Sequence, residues 1–146
     1  MKRPMRPSAA LAGLAVLGFL GFSSPLSAQN QAEHFTVDVS RSTQDLKVGD
    51  KGTLSIVINP AAGKKVHDQA PLIVNVKAPK GLQFAKTKLG HADVANKGEK
   101  SPELKAEFTA SEAGAQPTSA ELQFFICTDK WCERMTTRVQ VNVTVR

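Results

Sequence analysis

The chain has 146 residues, 19 Lys/Arg against 13 Asp/Glu, two cysteines and one tryptophan, with a formal net charge of +6. Residues 1–28 carry Lys2, Arg3 and Arg6 ahead of the apolar run LAGLAVLGFLGF, the pattern of a cleaved secretory signal peptide. Removing them leaves about 118 residues and a net charge of +3, which excludes a second domain and gives no support to nucleic-acid binding, since the lysines are scattered rather than gathered on one face. The apolar run is also shorter than the ~20 residues a membrane-spanning helix needs. The expected organisation is a signal peptide at 1–28 and one domain at 29–146, delivered to the periplasm with no membrane span left after cleavage.

Apolar alternation then marks strands in order. Phe35, Val37 and Val39 alternate with polar residues over 33–39. A polar break follows, then the Gly49-Asp50 turn, and Leu54, Ile56 and Ile58 form the inward side of a second strand that Asn59-Pro60 ends. LIVNV within 66–76 reads as a third, central strand. Ala78-Pro79-Lys80-Gly81 reads as a type II turn leading into a short strand at 82–84. Residues 86–102 are rich in Lys, Gly, Asn and Asp without a period and read as an exposed connection. Leu104, Ala106 and Phe108 are the inward side of the next strand, and SEAGAQPTS reads as a loop. No stretch after the signal peptide holds a 3.6-residue period. About seven short strands with turns near every ten residues predict an all-β, immunoglobulin-like antiparallel β-sandwich, with a small barrel as the alternative.

The clearest pattern is residues 120–146, AELQFFICTDKWCERMTTRVQVNVTVR. Leu122, Phe124 and Ile126 alternate with Glu121, Gln123 and Phe125, and Val139, Val141, Val143 and Val145 alternate with polar residues. A four-residue loop over 128–131 sets Cys127 opposite Cys132, at a Cα separation that suits a disulfide. The same register pairs Glu121 with Arg138, Gln123 with Thr136, Phe125 with Arg134, Phe124 with Met135 and Ala120 with Val139. Charge meets opposite charge and apolar meets apolar. Ile126 against Glu133 is the mismatch, which allows a bulge near the loop. Side-chain parity puts both cysteines on the outer face, with both sulfurs near solvent.

Several residues around the pair could carry chemistry. Lys130 and Arg134 favour a thiolate while Asp129 and Glu133 oppose one. Trp131 at the loop tip is a lid over the sulfurs, a contact for a partner, or a ring folded back on the hairpin. Phe125 opposite Arg134 forms a cation–π pair or part of a docking patch. Two cysteines are too few for zinc. A Cu(I) site from Cys127, Cys132 and Met135 is chemically allowed, but the register turns Met135 to the other face. His34, His67 and His91 lie far apart in sequence and read as surface residues, so no metal or other cofactor is expected.

FFICTDKWCERMTTRVQVNVTV, with KVHDQAPLIVNVKAPKGLQF upstream, resembles the N-terminal periplasmic domain of the disulfide-interchange protein DsbD and its relatives, over roughly residues 35–146. The resemblance implies an immunoglobulin-like sandwich with Cys127 and Cys132 as an exchanging pair. Its partners would be thioredoxin-like or membrane disulfide-interchange proteins. The expected function is thiol–disulfide exchange, an oxidoreductase activity if catalytic. A bridge closing so short a loop removes little unfolded-chain entropy, about 2 kcal/mol, so it is a weak staple and an exposed one is open to thiolate attack. The alternative is a non-catalytic binding or assembly module in which the disulfide only stiffens the hairpin tip around Trp131.

Overall fold

The computed structural model describes residues 33–146, so the signal-peptide assignment lies outside the described residues. Ten strands form: β1 (Phe35–Asp38), β2 (Asp45–Leu46), β3 (Lys51–Pro60), β4 (Lys65–Val66), β5 (Ile73–Lys77), β6 (Leu82–Phe84), β7 (Lys88–Leu89), β8 (Glu103–Ala110), β9 (Gly114–Cys127) and β10 (Cys132–Val145). The described residues hold no α-helix, only one 3₁₀ turn at His91–Asp93. One sheet runs β1-β3-β8-β6 and the other β2-β10-β9-β5-β7, with β4 also on β9. This is the expected all-β sandwich of immunoglobulin type, in which the chain crosses from one sheet to the other between β1 and β2.

The inward residues are the ones that alternation selects. Leu54, Ile56 and Ile58 of β3, with Leu104, Ala106 and Phe108 of β8, meet Leu122, Phe124 and Ile126 of β9 and Val141, Val143 and Val145 of β10, all buried. Phe35 and Phe124 join the sheets edge to face, with ring centroids 4.8 Å apart. A ring fully removed from water at such a junction anchors the hairpin to the opposite sheet.

Four segments differ from expectation, each for a reason outside local pattern. The SEAGAQPTS segment is strand from Gly114 onward. Pro117 is tolerated because it sits opposite Asn142 in a pair that exchanges no backbone hydrogen bonds, and β5 reaches only to Ser119. The exposed connection at 86–102 holds β7, whose Leu89 is buried against the core and whose Lys88 pairs with Asn75. The third strand divides into β4 and β5, and both lie on β9. Gly81 is not in a left-handed conformation; its backbone approaches the Gln116 side chain, whose Oε1 accepts the Gly81 N–H at 3.2 Å. Close approach, rather than a type II turn, therefore demands glycine there.

Candidate functional site: the disulfide at the hairpin tip

The β9–β10 hairpin pairs without a break from Cys127↔Cys132 to Gly114↔Val145, in the expected register. No bulge relieves Ile126 against Glu133; Ile126 is fully buried and Glu133 exposed, so Ile126 is held by the core rather than by its cross-strand neighbour. The hydroxyl of Thr128 accepts the N–H groups of Lys130 (3.2 Å) and Trp131 (3.3 Å), and the Thr128 N–H donates to the Trp131 carbonyl at 2.8 Å. A threonine at the first loop position thus closes the tip by local hydrogen bonds. Cys127 and Cys132 are joined, with Cα atoms 4.1 Å apart.

Parity puts both cysteines on the outer face, as expected, yet only Cys132 is exposed; Cys127 is 2% exposed. The expectation of two solvent-near sulfurs is corrected for Cys127. The cause is β4, which lies along the tip of β9 with Lys65 opposite Cys127, while the His67 N–H donates to the Phe125 carbonyl at 2.9 Å. Lys65 and His67 therefore stand on the sulfurs' face, and a His67 ring nitrogen and both sulfurs lie within 4.8 Å of one another. Nothing local in either segment signals this contact, since 60 residues separate His67 from Cys127.

His67 is oriented by its own turn. Its Nδ1 accepts the backbone N–H groups of Gln69 (3.1 Å) and Ala70 (2.9 Å). In the neutral ring the proton is then on Nε2, so neither nitrogen is left with a free lone pair to ligate a metal. That geometry works against a metal held by this trio, and Met135 is buried on the opposite face beside Phe124, as expected. His91 is held through Nε2 to the Ala70 carbonyl at 2.6 Å, so it braces the turn after His67.

The remaining tip residues spread over two surfaces. Trp131, 37% exposed, packs edge-on against His34 just before β1, ring centroids 5.3 Å apart. Among the described residues, His34 Nδ1 is buried there with no hydrogen-bond partner. Phe125 is half-buried opposite exposed Arg134, and Lys130 is exposed in the loop. Beyond His67, a cleft of about 570 Å³ opens between the 65–72 segment and the 91–102 segment, lined by Lys65, His67, His91, Lys97 and Lys100 among others.

No family model matches the chain, and no curated protein does. Similar folds occur in a conjugative transposon lipoprotein from Bacteroides eggerthii (8% identity, 75% of this chain and 95% of that one, TM-score 0.43). A conjugate transposon protein from Bacteroides vulgatus (10%, 77% and 85%, TM-score 0.41) is also similar. A third is AggA, the major subunit of aggregative adherence fimbriae type I from Escherichia coli (12%, 77% and 94%, TM-score 0.36). The resemblance to the DsbD N-terminal family is corrected accordingly: no family model supports it, and these structures are transposon and fimbrial proteins. The hairpin residues that carried it reflect a disulfide on a terminal β-hairpin, a feature that does not specify one family.

Proposed function

We propose that this chain is an exported, non-catalytic binding or assembly module, in which the Cys127–Cys132 bridge stiffens a hairpin tip that presents Trp131 to a partner. The observation that carries this reading is the contrast at the tip: Cys127 is sealed while Trp131, the loop residue next to Cys132, remains over a third exposed. A sulfur under β4 is a poor target for a partner's thiolate, whereas a braced aromatic at a loop end offers a rigid contact at low entropic cost. An oxidising compartment such as the periplasm suits the bridge and the signal-like N-terminus. Among the described residues no helix is long and apolar enough to cross a membrane. Replacing Trp131 by Ala should weaken partner binding by about tenfold or more, in line with an aromatic anchor, while replacing both cysteines by Ser leaves most of the affinity. Loss of all partner-directed activity in the Ser variant, with Trp131→Ala silent, would reverse the assignment.

A second reading is favoured by one observation, the His67 ring beside the sulfurs. In thiol–disulfide exchange, the thiolate of a thioredoxin-like or membrane disulfide-interchange partner would attack exposed Cys132 to form a mixed disulfide, and Cys127 would leave as a thiolate beside the His67 imidazole. Equilibration in thiol redox buffers separates the two readings. A potential between about −120 and −270 mV favours exchange, and one below about −300 mV favours the structural bridge.

A further inference from the structure

Among the described residues, the outer edge of β10 is open over most of its length. Among the described residues its only neighbour on that side is β2, which pairs with Thr144 and Val145 alone, although β10 runs 14 residues. The N–H groups of Thr144 and Arg146 point that way, donating to the carbonyls of Gln44 (2.7 Å) and Leu46 (2.9 Å). Because the β9 register is unbroken, the same parity aims the N–H and C=O of Arg134, Thr136, Arg138, Gln140 and Asn142 outward. Among the described residues, those five present a ladder without a partner strand. An edge this long and regular is the kind that proteins usually shorten, bulge or cover.

The charged side chains of β10 above that edge, Arg134 and Arg138, are both positive, and Arg138, opposite Glu121, also donates to Ser119 Oγ across the hairpin at 3.1 Å. Arg134, Thr136, Arg138, Gln140 and Asn142 are all exposed, and no ion pair among the described residues engages Arg134 or Arg138. Residues four apart in a strand share a face and stand about 13 Å apart. A second copy pairing antiparallel about a two-fold through Arg138 would set Arg138 against Arg138, and a shift to an axis at Thr136 would set Arg134 against Arg138. Like charges directly opposed disfavour both.

We propose that the β10 edge, over residues 134–142, accepts an extended acidic peptide from another protein by strand addition, with carboxylates four residues apart facing Arg134 and Arg138. Main-chain hydrogen bonds supply the pairing and the two arginines select the sequence. The edge lies along the strand below the Trp131 tip, so the proposal does not depend on how the tip is used.

The test uses the mature protein and a labelled nine-residue Thr/Val peptide carrying two glutamates four residues apart, with a Lys-for-Glu peptide as control. The expected result is saturable anisotropy for the glutamate peptide, at least about tenfold weaker binding of the lysine peptide, and new hydrogen-exchange protection at Arg134, Thr136, Arg138 and Gln140. Thr136→Pro removes an outward donor without touching the β9 ladder, so it should abolish binding and keep the melting temperature within a few degrees. Should that variant fail to fold, the Arg134→Glu/Arg138→Glu protein should invert the peptide preference. Protection of these amides in the free protein, self-association through β10, or equal binding of both peptides would overturn the proposal.

Discussion

Removing the bridge tests how much of the domain depends on it. The closed loop runs from Cys127 to Cys132, a sequence separation of 5, so about six residues enter the loop-closure relation and cross-linking is worth about 2 kcal/mol. In Cys127→Ala/Cys132→Ala the buried sulfur of Cys127 is also lost, at about 1 kcal/mol for a small, partly collapsing site. The expected destabilisation is therefore about 3 kcal/mol. For a domain of this size the unfolding entropy is about 0.24 kcal/mol/K, so the melting temperature should fall by about 12 °C. Urea unfolding followed by tryptophan fluorescence and by far-ultraviolet circular dichroism gives the number, and an unchanged m value shows that the same surface is still exposed on unfolding. Hydrogen exchange should rise at the loop amides of Thr128, Lys130 and Trp131 but not at Leu122 or Phe124, which the core holds. A loss above about 5 kcal/mol, or a changed m value, would refute the reasoning, because the bridge would then be holding the sandwich rather than its tip. A loss near zero would refute it from the other side.

Three other expectations concern the scaffold. Gly52 faces Phe108 across β3 and β8, and a Cβ there would stand 2.5 Å from the Phe108 ring, itself packed on Phe84; Gly52→Ala should cost about 1–3 kcal/mol in urea unfolding, and a neutral result would mean the ring rotates freely. The hydrogen bond from Ser55 Oγ (2.7 Å), aided by Lys105 and Arg41, holds the Glu103 carboxyl below its ordinary 4.5. Its stabilisation is thus complete above about pH 4.5 and is lost as pH falls through the lower folded value, so Glu103→Gln should be less stable than the parent by about 1.5 kcal/mol at pH 7, with the gap narrowing as the carboxyl is protonated. A constant gap as pH falls would exclude the carboxylate as its source. Phe124→Ala removes a fully buried ring that closes on Phe35 and should cost about 3–5 kcal/mol, measured by the same unfolding curves; under 1 kcal/mol would place the core elsewhere.

Legibility in the sequence followed the range of the interaction. The β9–β10 register was readable because it rests on neighbours in one hairpin: period-2 alternation fixes the faces, and a four-residue loop fixes the offset. Strands β1, β3, β6 and β8 were readable from apolar alternation and the turn residues that bound them, although their pairing was not. β2 and β7, of two residues each, carry no period and exist only because β10 and β5 offer edges to them. The Gly114–Ser119 stretch looked like a loop because proline and glycine are turn formers, and only the direction of Pro117's nitrogen relative to its neighbours makes it strand.

At the site, the residue order already places Cys127 opposite Cys132, both on the outer face, with Trp131 at the tip between them. These depend on chain connectivity and side-chain parity. Tertiary structure alone decided that Cys127 is sealed, that His67 turns its ring toward the sulfurs, that Trp131 leans on His34, and that the edge of β10 is left open. Each of those depends on which strand docks beside which, and sheet neighbours are chosen by long-range burial that no local pattern encodes.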